Sequence, residues 1–345
     1  MSLLPDWRYA VLMPAVQGQL KVSPEDFVVI EELGFEPEGQ GEHLYVWVEK
    51  RELNTDDAAR VLAKWLKLPL RAVSYSGMKD RNARTSQWFS LHLPGKSMPD
   101  ITGFQHENMR ILRCVRHSRK LKRGMHLRNH FEIHLHQLRG EVGSLAERLQ
   151  RIGLEGVPNY FGEQRFGREG YNLQMVERLF AGELDRLSPY KRGLFLSTAR
   201  SFIFNQVLSE RIAAGSWTTL LPGEAVHDQA NNTVSIVERV SEGLLSACAM
   251  GQVGPTGPLW GKGYGCRSVC ESFEQDVISP WLAWCTGLES FGLHHERRAL
   301  QLRPVNVQSD LRDDSLSLSF SLPRGGFATS VIRELCVVHA QSDAG

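Results

Sequence analysis

The stretch "NLQMVERLFAGELDRLSPYKRGLFLSTARSFIFNQVLSERIAA", residues 172–214, sets the organisation of this 345-residue chain. Its apolar residues recur at helical spacing, and Gly182 and Pro189 interrupt the pattern. On either side the sequence alternates as strands do, in "HFEIHLHQL" (130–138) and "DSLSLSFSLP" (314–323). Strand-rich ends around a helical middle predict an α+β fold whose sheet is interrupted by an inserted domain.

The first part of the chain is expected to mix strands with packed helices. "LKVSPEDFVVIEEL" (20–33) and "HLYVWVEK" (43–50) contain short extended runs typical of strands. "NTDDAARVLAKWLKL" follows, and it predicts an amphipathic helix whose cap is Asn54 or Thr55.

Bulk composition indicates a soluble globular protein. The hydrophobic fraction is 42% and the charged fraction is 23%. No apolar run approaches the roughly 18 residues that a membrane helix needs. The first residues lack a basic leader, and Asp6, Trp7 and Arg8 interrupt any signal-peptide pattern. We therefore expect a cytoplasmic location and no membrane partner.

Metal and phosphate motifs receive little support from the sequence. Cys266 and Cys270 are four residues apart, and a zinc site would need a second ligand pair at matching spacing, so ordinary reduced thiols are favoured. His130, His134 and His136 alternate along a predicted strand, which favours exposed strand histidines over a metal site. The glycines of "GKGYG" lack the strand–helix context of a phosphate-binding fingerprint.

A local basic patch stands out although the net charge is only +1. Residues 110–128, "RILRCVRHSRKLKRGMHLR", hold eight arginines and lysines and no acid. Solvated faces usually mix charges of both signs, so this basic segment favours contact with a phosphate backbone over a plain surface.

A single carboxylate lies among cations in "SYSGMKDRNARTSQWFSL", residues 74–91. Asp80 is next to Lys79 and Arg81 and close in sequence to Arg84. Nearby cations stabilise an ionised carboxylate, which suits a nucleophile or an electrostatic stabiliser better than a general acid. From spacing alone, a surface ion pair of little energetic value is an equally good interpretation.

Five segments in order resemble the TruD family of tRNA pseudouridine synthases. The run from Gly77 to Gln87 resembles the family signature G-x-K-D-x-x-A-x-T-x-Q. The other four segments are "SPEDFVVIEEL" (23–33), "LRNHFEI" (127–133), "NYFGEQRFG" (159–167) and "LPRGGFATSVIREL" (322–335). Because the matches reach from about residue 20 to 335 and keep their order, the resemblance covers most of the chain.

The resemblance implies an RNA isomerase. Such an enzyme breaks the bond from ribose C1′ to uracil N1, turns the base and rejoins it through C5, so no redox cofactor, metal or nucleotide is required. The family's usual substrate is uridine 13 in the D arm of tRNA, in bacteria chiefly of tRNA-Glu. Asp80 occupies the place of the essential aspartate. It could add to uracil C6, or act at the ribose to release a glycal-like intermediate, and both routes stay open.

The resemblance also implies the substrate-binding residues and the domains. Phe27 and Phe327 are the substrate-side aromatics, Asn129 suits the uracil edge, and Lys79 is a further substrate-side residue. The target base is expected to flip into a cleft between two domains. The implied fold is α+β, with a catalytic domain of the pseudouridine-synthase type that contains a mixed, largely antiparallel sheet. This domain spans 1–154 plus 304–345, and an inserted α/β TRUD domain spans 155–303. The partner is tRNA, and no obligate protein partner is evident.

Arg165, in "NYFGEQRFG", has two open interpretations, a phosphate contact or an ordinary surface arginine. Two other functions are alternatives for the whole chain. An RNA-binding protein without chemistry, such as a tRNA folding chaperone, would tolerate loss of the Asp80 charge. A metal-dependent nuclease would need clustered carboxylates, and a methyltransferase would need a glycine-rich loop after a strand, and neither pattern is convincing.

Overall fold

The protein is described by a computed structural model over residues 4–184, 186–263 and 265–339. The chain divides into two compact units. We call the first the sheet unit, and it contains the described residues of Ala15–Leu145, Pro304–Ala328 and Leu335–Gly345. We call the second the helical unit, and it contains the described residues of Met1–Pro14, Ala146–Arg303 and Thr329–Glu334. The domain boundaries expected from the sequence stay a prediction.

Both units contain strands and helices. The strands are β1 (Val16–Leu20), β2 (Phe27–Glu32), β3 (His43–Lys50), β4 (Val73–Tyr75), β5 (Arg84–His92), β6 (Met109–His117), β7 (Arg128–Gly140), β8 (Val157–Pro158), β9 (Ala225–Asp228), β10 (Thr233–Ile236), β11 (Val253–Leu259), β12 (Glu296–Ala299), β13 (Gln301–Leu302), β14 (Val305–Arg312), β15 (Ser315–Pro323) and β16 (Val337–His339). The helices are α1 (Thr55–Trp65), α2 (Leu145–Glu155), α3 (Tyr171–Phe180), α4 (Pro189–Ala213), α5 (Glu242–Ala249), α6 (Ser268–Ile278), α7 (Leu282–Ser290) and α8 (Ala328–Leu335).

A ten-stranded mixed sheet forms the sheet unit. Its main path runs β14-β15-β7-β2-β5-β3-β6, with β1, β16 and β4 attached beside it. The pairs β2–β5 and β1–β16 are parallel, and the other pairs in this sheet are antiparallel. This architecture confirms the predicted α+β class with a mixed, largely antiparallel sheet.

Alternation in the sequence determines which side chains of the sheet are buried. Along β7, Phe131, Ile133 and Leu135 are buried, whereas the histidines between them are half-buried. Two of the histidines make side-chain hydrogen bonds: His134 Nδ1 lies 3.0 Å from Ser317 Oγ, and His136 Nε2 lies 2.8 Å from Asp26 Oδ1. The predicted strand is therefore confirmed, and its histidines have hydrogen-bonding partners.

Helix α1 packs on the sheet through a narrow apolar face. It begins after Asn54, as its capping pattern predicts. Ala58, Ala59 and Leu62 are buried and join a cluster that includes Phe89 of β5. This packing joins the start of α1 to the adjoining strands, and both contact the turn at residues 77–80.

Helix α4 forms the centre of the helical unit. Helix α3 ends at Phe180 and α4 begins at Pro189, so the breaks predicted at Gly182 and Pro189 are confirmed. Phe202, Ile203 and Phe204 of α4 belong to the largest buried cluster of the unit. Strands β10-β9-β11-β12 form a second, four-stranded sheet here.

None of the helices among the described residues is both long enough and apolar enough to span a membrane.

Candidate active site

The turn that carries Asp80 is held by three hydrogen bonds. The Lys79 backbone N–H donates to Thr55 Oγ1 at 2.9 Å, and that hydroxyl donates to Gln87 Oε1 at 3.0 Å. Gln87 Nε2 in turn donates to the Gly77 carbonyl at 3.0 Å. Thr55 is 1% exposed and Gln87 is fully buried, so the first turn of α1 and the middle of β5 fix this backbone.

Asp80 forms an ion pair with Lys21. Its Oδ2 accepts a hydrogen bond from Lys21 Nζ, and its Oδ1 accepts one from the Asn82 backbone N–H at 3.2 Å. Burial of the carboxyl raises the pKa of Asp80, but the hydrogen bond and charge of Lys21 and the amides of Asn82 and Arg81 outweigh it. The pKa of Asp80 is therefore lowered, and the carboxylate is ionised at neutral pH.

The source of that effect differs from the sequence-based expectation, which assigned it to Lys79 and its neighbours. Lys79 Nζ lies 2.9 Å from Glu31 Oε2, and the two side chains are 5% and 0% exposed. A buried carboxylate needs a charge partner, so Glu31 of β2 takes the lysine that is adjacent to Asp80 in sequence. Arg81 Nε donates to the Glu52 carbonyl, and Arg84 lies 3.7 Å from Glu49.

Lys50 binds the backbone carbonyl of Asp80. This lysine ends β3 and is fully buried, and its Nζ donates to the carbonyls of Leu53 at 2.6 Å and Asp80 at 3.1 Å. Burial lowers the pKa of Lys50 to about 8, although the nearby Asp80 charge opposes the shift. Sequence reasoning missed Lys50, and its only signal was a lysine at the end of a strand with an apolar face.

Asn129 has a buried amide oxygen that can bind a ligand. It lies on β7 directly opposite Glu31 of β2 and is 8% exposed. Its Nδ2 lies 3.4 Å from His126 Nε2, whereas its Oδ1 has no hydrogen-bond partner among the described residues. An unsatisfied buried acceptor is costly, and it is typical of a position that a ligand completes.

His126 orients the Asn129 amide. Its Nδ1 lies 2.7 Å from Ser76 Oγ, and burial together with the Lys79 charge lowers its pKa. The neutral tautomer with the proton on Nδ1 satisfies both contacts, because its Nε2 then accepts from the amide of Asn129. His126 and Ser76 were not predicted, since neither carries a spacing signal.

The predicted aromatics occupy different environments. Phe27 is 5% exposed, and its ring packs edge-to-face on Phe131 at 6.1 Å. Lys21 Nζ lies 4.3 Å from the centre of the Phe27 ring, so one lysine touches both Phe27 and Asp80. Phe327 precedes α8 and is 37% exposed.

The basic segment 110–128 forms β6 and the loop that follows it, with Arg128 starting β7. Some of its cations have acidic neighbours from elsewhere in the chain, since Arg113 lies 3.4 Å from Glu36 and Arg128 lies 3.4 Å from Glu32. The loop also carries exposed cations, namely Arg119, Lys120, Lys122 and Arg123.

In the helical unit, Arg165 is packed. Its guanidinium lies 5.6 Å from the centre of the Phe161 ring, and its Nη1 donates to Ser197 Oγ at 3.3 Å. Burial lowers the pKa of Arg165. The guanidinium of Arg298 lies 4.2 Å from the same ring. Segment 159–167 is thus fixed by aromatic and cationic packing.

Comparison with known proteins gives one family. The family described as "tRNA pseudouridine synthase D (TruD)" matches residues 7–186 and 171–335. A protein named tRNA pseudouridine synthase D from Aeromonas salmonicida is 43% identical over 334 residues, which cover 96% of this chain and 94% of that protein. One of the same name from Azotobacter vinelandii is 45% identical, covering 92% of this chain and 91% of that one. A crystal structure titled a putative tRNA pseudouridine synthase D, from Methanosarcina mazei, has the same fold, with a TM-score of 0.71, 20% identity and 95% coverage of both chains.

Proposed function

The chain belongs to the tRNA pseudouridine synthase D family, and on that premise we propose that it isomerises uridine to pseudouridine at position 13 of tRNA, chiefly tRNA-Glu. Substrate and product have the same atoms, so the reaction consumes no co-substrate. The observation that carries the proposal is the ionised carboxylate of Asp80, set on a rigid turn and paired with Lys21.

Asp80 is the proposed catalytic group. Addition of a carboxylate to uracil C6 and action at the ribose to release a glycal-like intermediate both begin from the ionised form. Lys21 keeps Asp80 in that form, and Lys50 holds its backbone carbonyl in place. A nucleophile or base fixed in this way reaches its target atom without first reorganising the turn.

The target uridine must leave its stack, because its reacting atoms are otherwise covered by neighbouring bases. We assign recognition of the flipped base to Asn129, whose unsatisfied Oδ1 can accept a hydrogen bond from uracil N3–H. Phe27 supports this side of the site through Lys21, and we assign stacking on the base to Phe327, which is 37% exposed.

Lys79 acts through Glu31 in this proposal. Lys79 forms a buried ion pair with Glu31 Oε2, and His126 Nδ1 lies 3.9 Å from that oxygen. Lys79 therefore positions Asn129 by way of Glu31 and His126, and we do not assign it a contact with the base.

Phosphate contacts are assigned to the exposed cations of the basic segment, which precedes Asn129 in the chain. Such contacts give affinity that depends on salt and carry little sequence information. Selection of one uridine then depends on the shape of the tRNA and on which base can be displaced from its stack.

The experiment that tests the proposed target uses unmodified tRNA-Glu transcript. After incubation with the protein, pseudouridine is labelled with a carbodiimide and its position is read by primer extension. We expect one new stop, reporting position 13, and no stop in a transcript with cytidine at that position. Labelling at another uridine, or none at all, would overturn the proposed position.

A further inference from the structure

Two buried cysteines in the helical unit lie beside two buried glutamates, and none of the four belongs to the candidate active site. Cys266 is 3% exposed and Cys270 is fully buried, and Glu224 and Glu274 are 0% and 4% exposed. The Sγ atoms of Cys266 and Cys270 and a carboxylate oxygen of Glu274 lie within 4.8 Å of one another. Glu224 Oε1 is 3.6 Å from Cys270 Sγ, and Glu274 Oε1 is 3.9 Å from it.

We propose that these four side chains form a structural site for one Zn²⁺ ion. Zinc prefers four ligands in a tetrahedron, with sulfur at ~2.3 Å and oxygen at ~2.0 Å, which places neighbouring ligand atoms roughly 3.5–3.8 Å apart. The separation from Cys270 Sγ to Glu224 Oε1, 3.6 Å, falls within that range, and the separation to Glu274 Oε1, 3.9 Å, is slightly longer. The sequence favours ordinary thiols because it shows no second ligand pair at matching spacing, whereas the fold supplies two carboxylates as the second pair.

The charges around the cluster balance with a divalent metal. Arg211 Nη1 donates to Glu224 Oε2 at 2.9 Å, and Arg297 donates to both oxygens of Glu274, at 2.8 and 2.6 Å. The two carboxylates are thus neutralised by two arginines. Loss of one proton from each thiol adds two negative charges, which one Zn²⁺ cancels, so binding exchanges two protons for the metal and leaves the buried charge unchanged.

The arginines also orient the carboxylates. Glu224 Oε2 accepts from Arg211 and from the Leu221 backbone N–H. Its Oε1 faces Cys270, and its one other hydrogen bond among the described residues is a long one, 3.4 Å, from the Thr256 backbone N–H. Hydrogen bonds of this kind to metal-bound carboxylates set their orientation.

The two ligand-bearing segments are joined by their backbones. Arg267 N–H donates to the Gly223 carbonyl at 2.9 Å, and Cys270 N–H donates to the Pro222 carbonyl at 3.1 Å. Gly223 has φ +83°, and a Cβ there would lie 1.8 Å from the Arg267 carbonyl oxygen, so only glycine fits. The metal would fasten the start of α6 to the segment before β9.

The test uses the full chain, stripped of metal with a chelator under reducing conditions and titrated with Co²⁺ as a spectroscopic probe. We expect saturation at one equivalent, a thiolate-to-cobalt charge-transfer band in the near ultraviolet, tetrahedral bands in the visible, and displacement of cobalt by Zn²⁺. Two protons should be released for each metal bound, and Zn²⁺ should raise the midpoint of thermal unfolding.

Matched cysteine variants locate the signal. Cys266→Ser and Cys270→Ser should each lower the charge-transfer intensity about twofold or more, because each removes one of two thiolates. Cys248→Ser and Cys285→Ser remove buried thiols of the same unit outside the cluster and should leave the band unchanged. No band in the wild-type protein, a band that survives both Cys266→Ser and Cys270→Ser, or a Cys266–Cys270 disulfide that persists under the reducing conditions would overturn the proposal.

Discussion

Asp80 shows how an ionised carboxylate is maintained in a partly buried place. Its nearest cations in sequence, Lys79, Arg81 and Arg84, contact Glu31, the Glu52 carbonyl and Glu49. Lys21, which is 59 residues away in sequence, supplies the opposing charge. Because the same lysine lies over the Phe27 ring, the charge state of the proposed catalytic group depends on a contact that also positions an aromatic.

Removal of the Lys21 charge should therefore change the pH dependence of catalysis. In wild type the pKa of Asp80 is lowered, so activity is present at neutral pH and is lost as pH falls through that lowered value. In Lys21→Met, the hydrogen bond and charge of Lys21 no longer oppose the effect of burial on the pKa of Asp80, so the acid limb of kcat/KM should move to higher pH. Lys21→Arg keeps the charge and should move the limb less. An acid limb that is identical in wild type and Lys21→Met would contradict this assignment.

Lys50 should leave a pH signature in stability. The pKa of Lys50 is lowered from 10.5 to about 8 in the folded protein, so the unfolded chain binds more protons between these values and stability rises with pH there. Relative to Lys50→Met, the wild-type free energy of unfolding should rise by up to about 3 kcal/mol from pH 8 to 10.5. Denaturant unfolding of both proteins across this range measures the difference. A difference that does not change with pH would show that the buried amine is not responsible.

At the scale of elements, α4 holds a loop of the helical unit through one amide. Asn205 is fully buried, its Nδ2 donates to the Phe161 carbonyl at 2.9 Å, and its Oδ1 accepts from the Phe161 N–H at 2.9 Å. Asn205→Ala removes both of these buried hydrogen bonds and should cost about 3 kcal/mol of unfolding free energy. Gln206→Ala, next on the same helix and only half-buried, should cost much less. Equal losses in urea unfolding of the two variants would exclude this role for Asn205.

The elements were predictable where a local pattern decides them. Alternation in 130–138 and 314–323 predicted β7 and β15, and Gly182 and Pro189 predicted the break between α3 and α4. Partners distant in sequence were not predictable in this way. Nothing in the sequence near Asp80 indicates Lys21, because the pairing of β1 and β2 with later strands brings that segment to the turn.

The same reason explains what was missed around Asn129. Its place in a family motif made it a candidate, but its unsatisfied oxygen results from the cross-strand pairing of β2 and β7 and from the His126 contact. The proposed metal ligands are a further case, because Glu224 is 42 residues before Cys266 and only the fold brings the two segments together.

At the scale of the whole molecule, recognition of tRNA should depend on the basic segment. Replacing Arg119, Lys120 and Lys122 with glutamine should weaken tRNA binding and reduce the slope of log K against log salt by about 0.7–0.9 for each phosphate that is no longer neutralised. Lys64→Gln with Lys67→Gln changes exposed cations of α1 and the turn after it, and should leave the slope nearly unchanged. Filter binding across a salt series measures both. If the two sets of variants shift the slope equally, the cations act through net charge and the basic segment is not a specific binding surface.

The central claim is that the protein isomerises uridine in tRNA with Asp80 as the catalytic group. Release of tritium from uridine C5 tests this claim most directly. Unmodified tRNA-Glu transcript carrying tritium at uridine C5 is incubated with wild type and with Asp80→Asn, and tRNA binding is measured in parallel. We expect wild type to release tritium, and Asp80→Asn to bind tRNA with similar affinity while releasing tritium at least about a thousandfold more slowly. Release at the wild-type rate by Asp80→Asn would remove Asp80 from the chemistry, and tight binding by wild type without release would make the chain an RNA-binding protein.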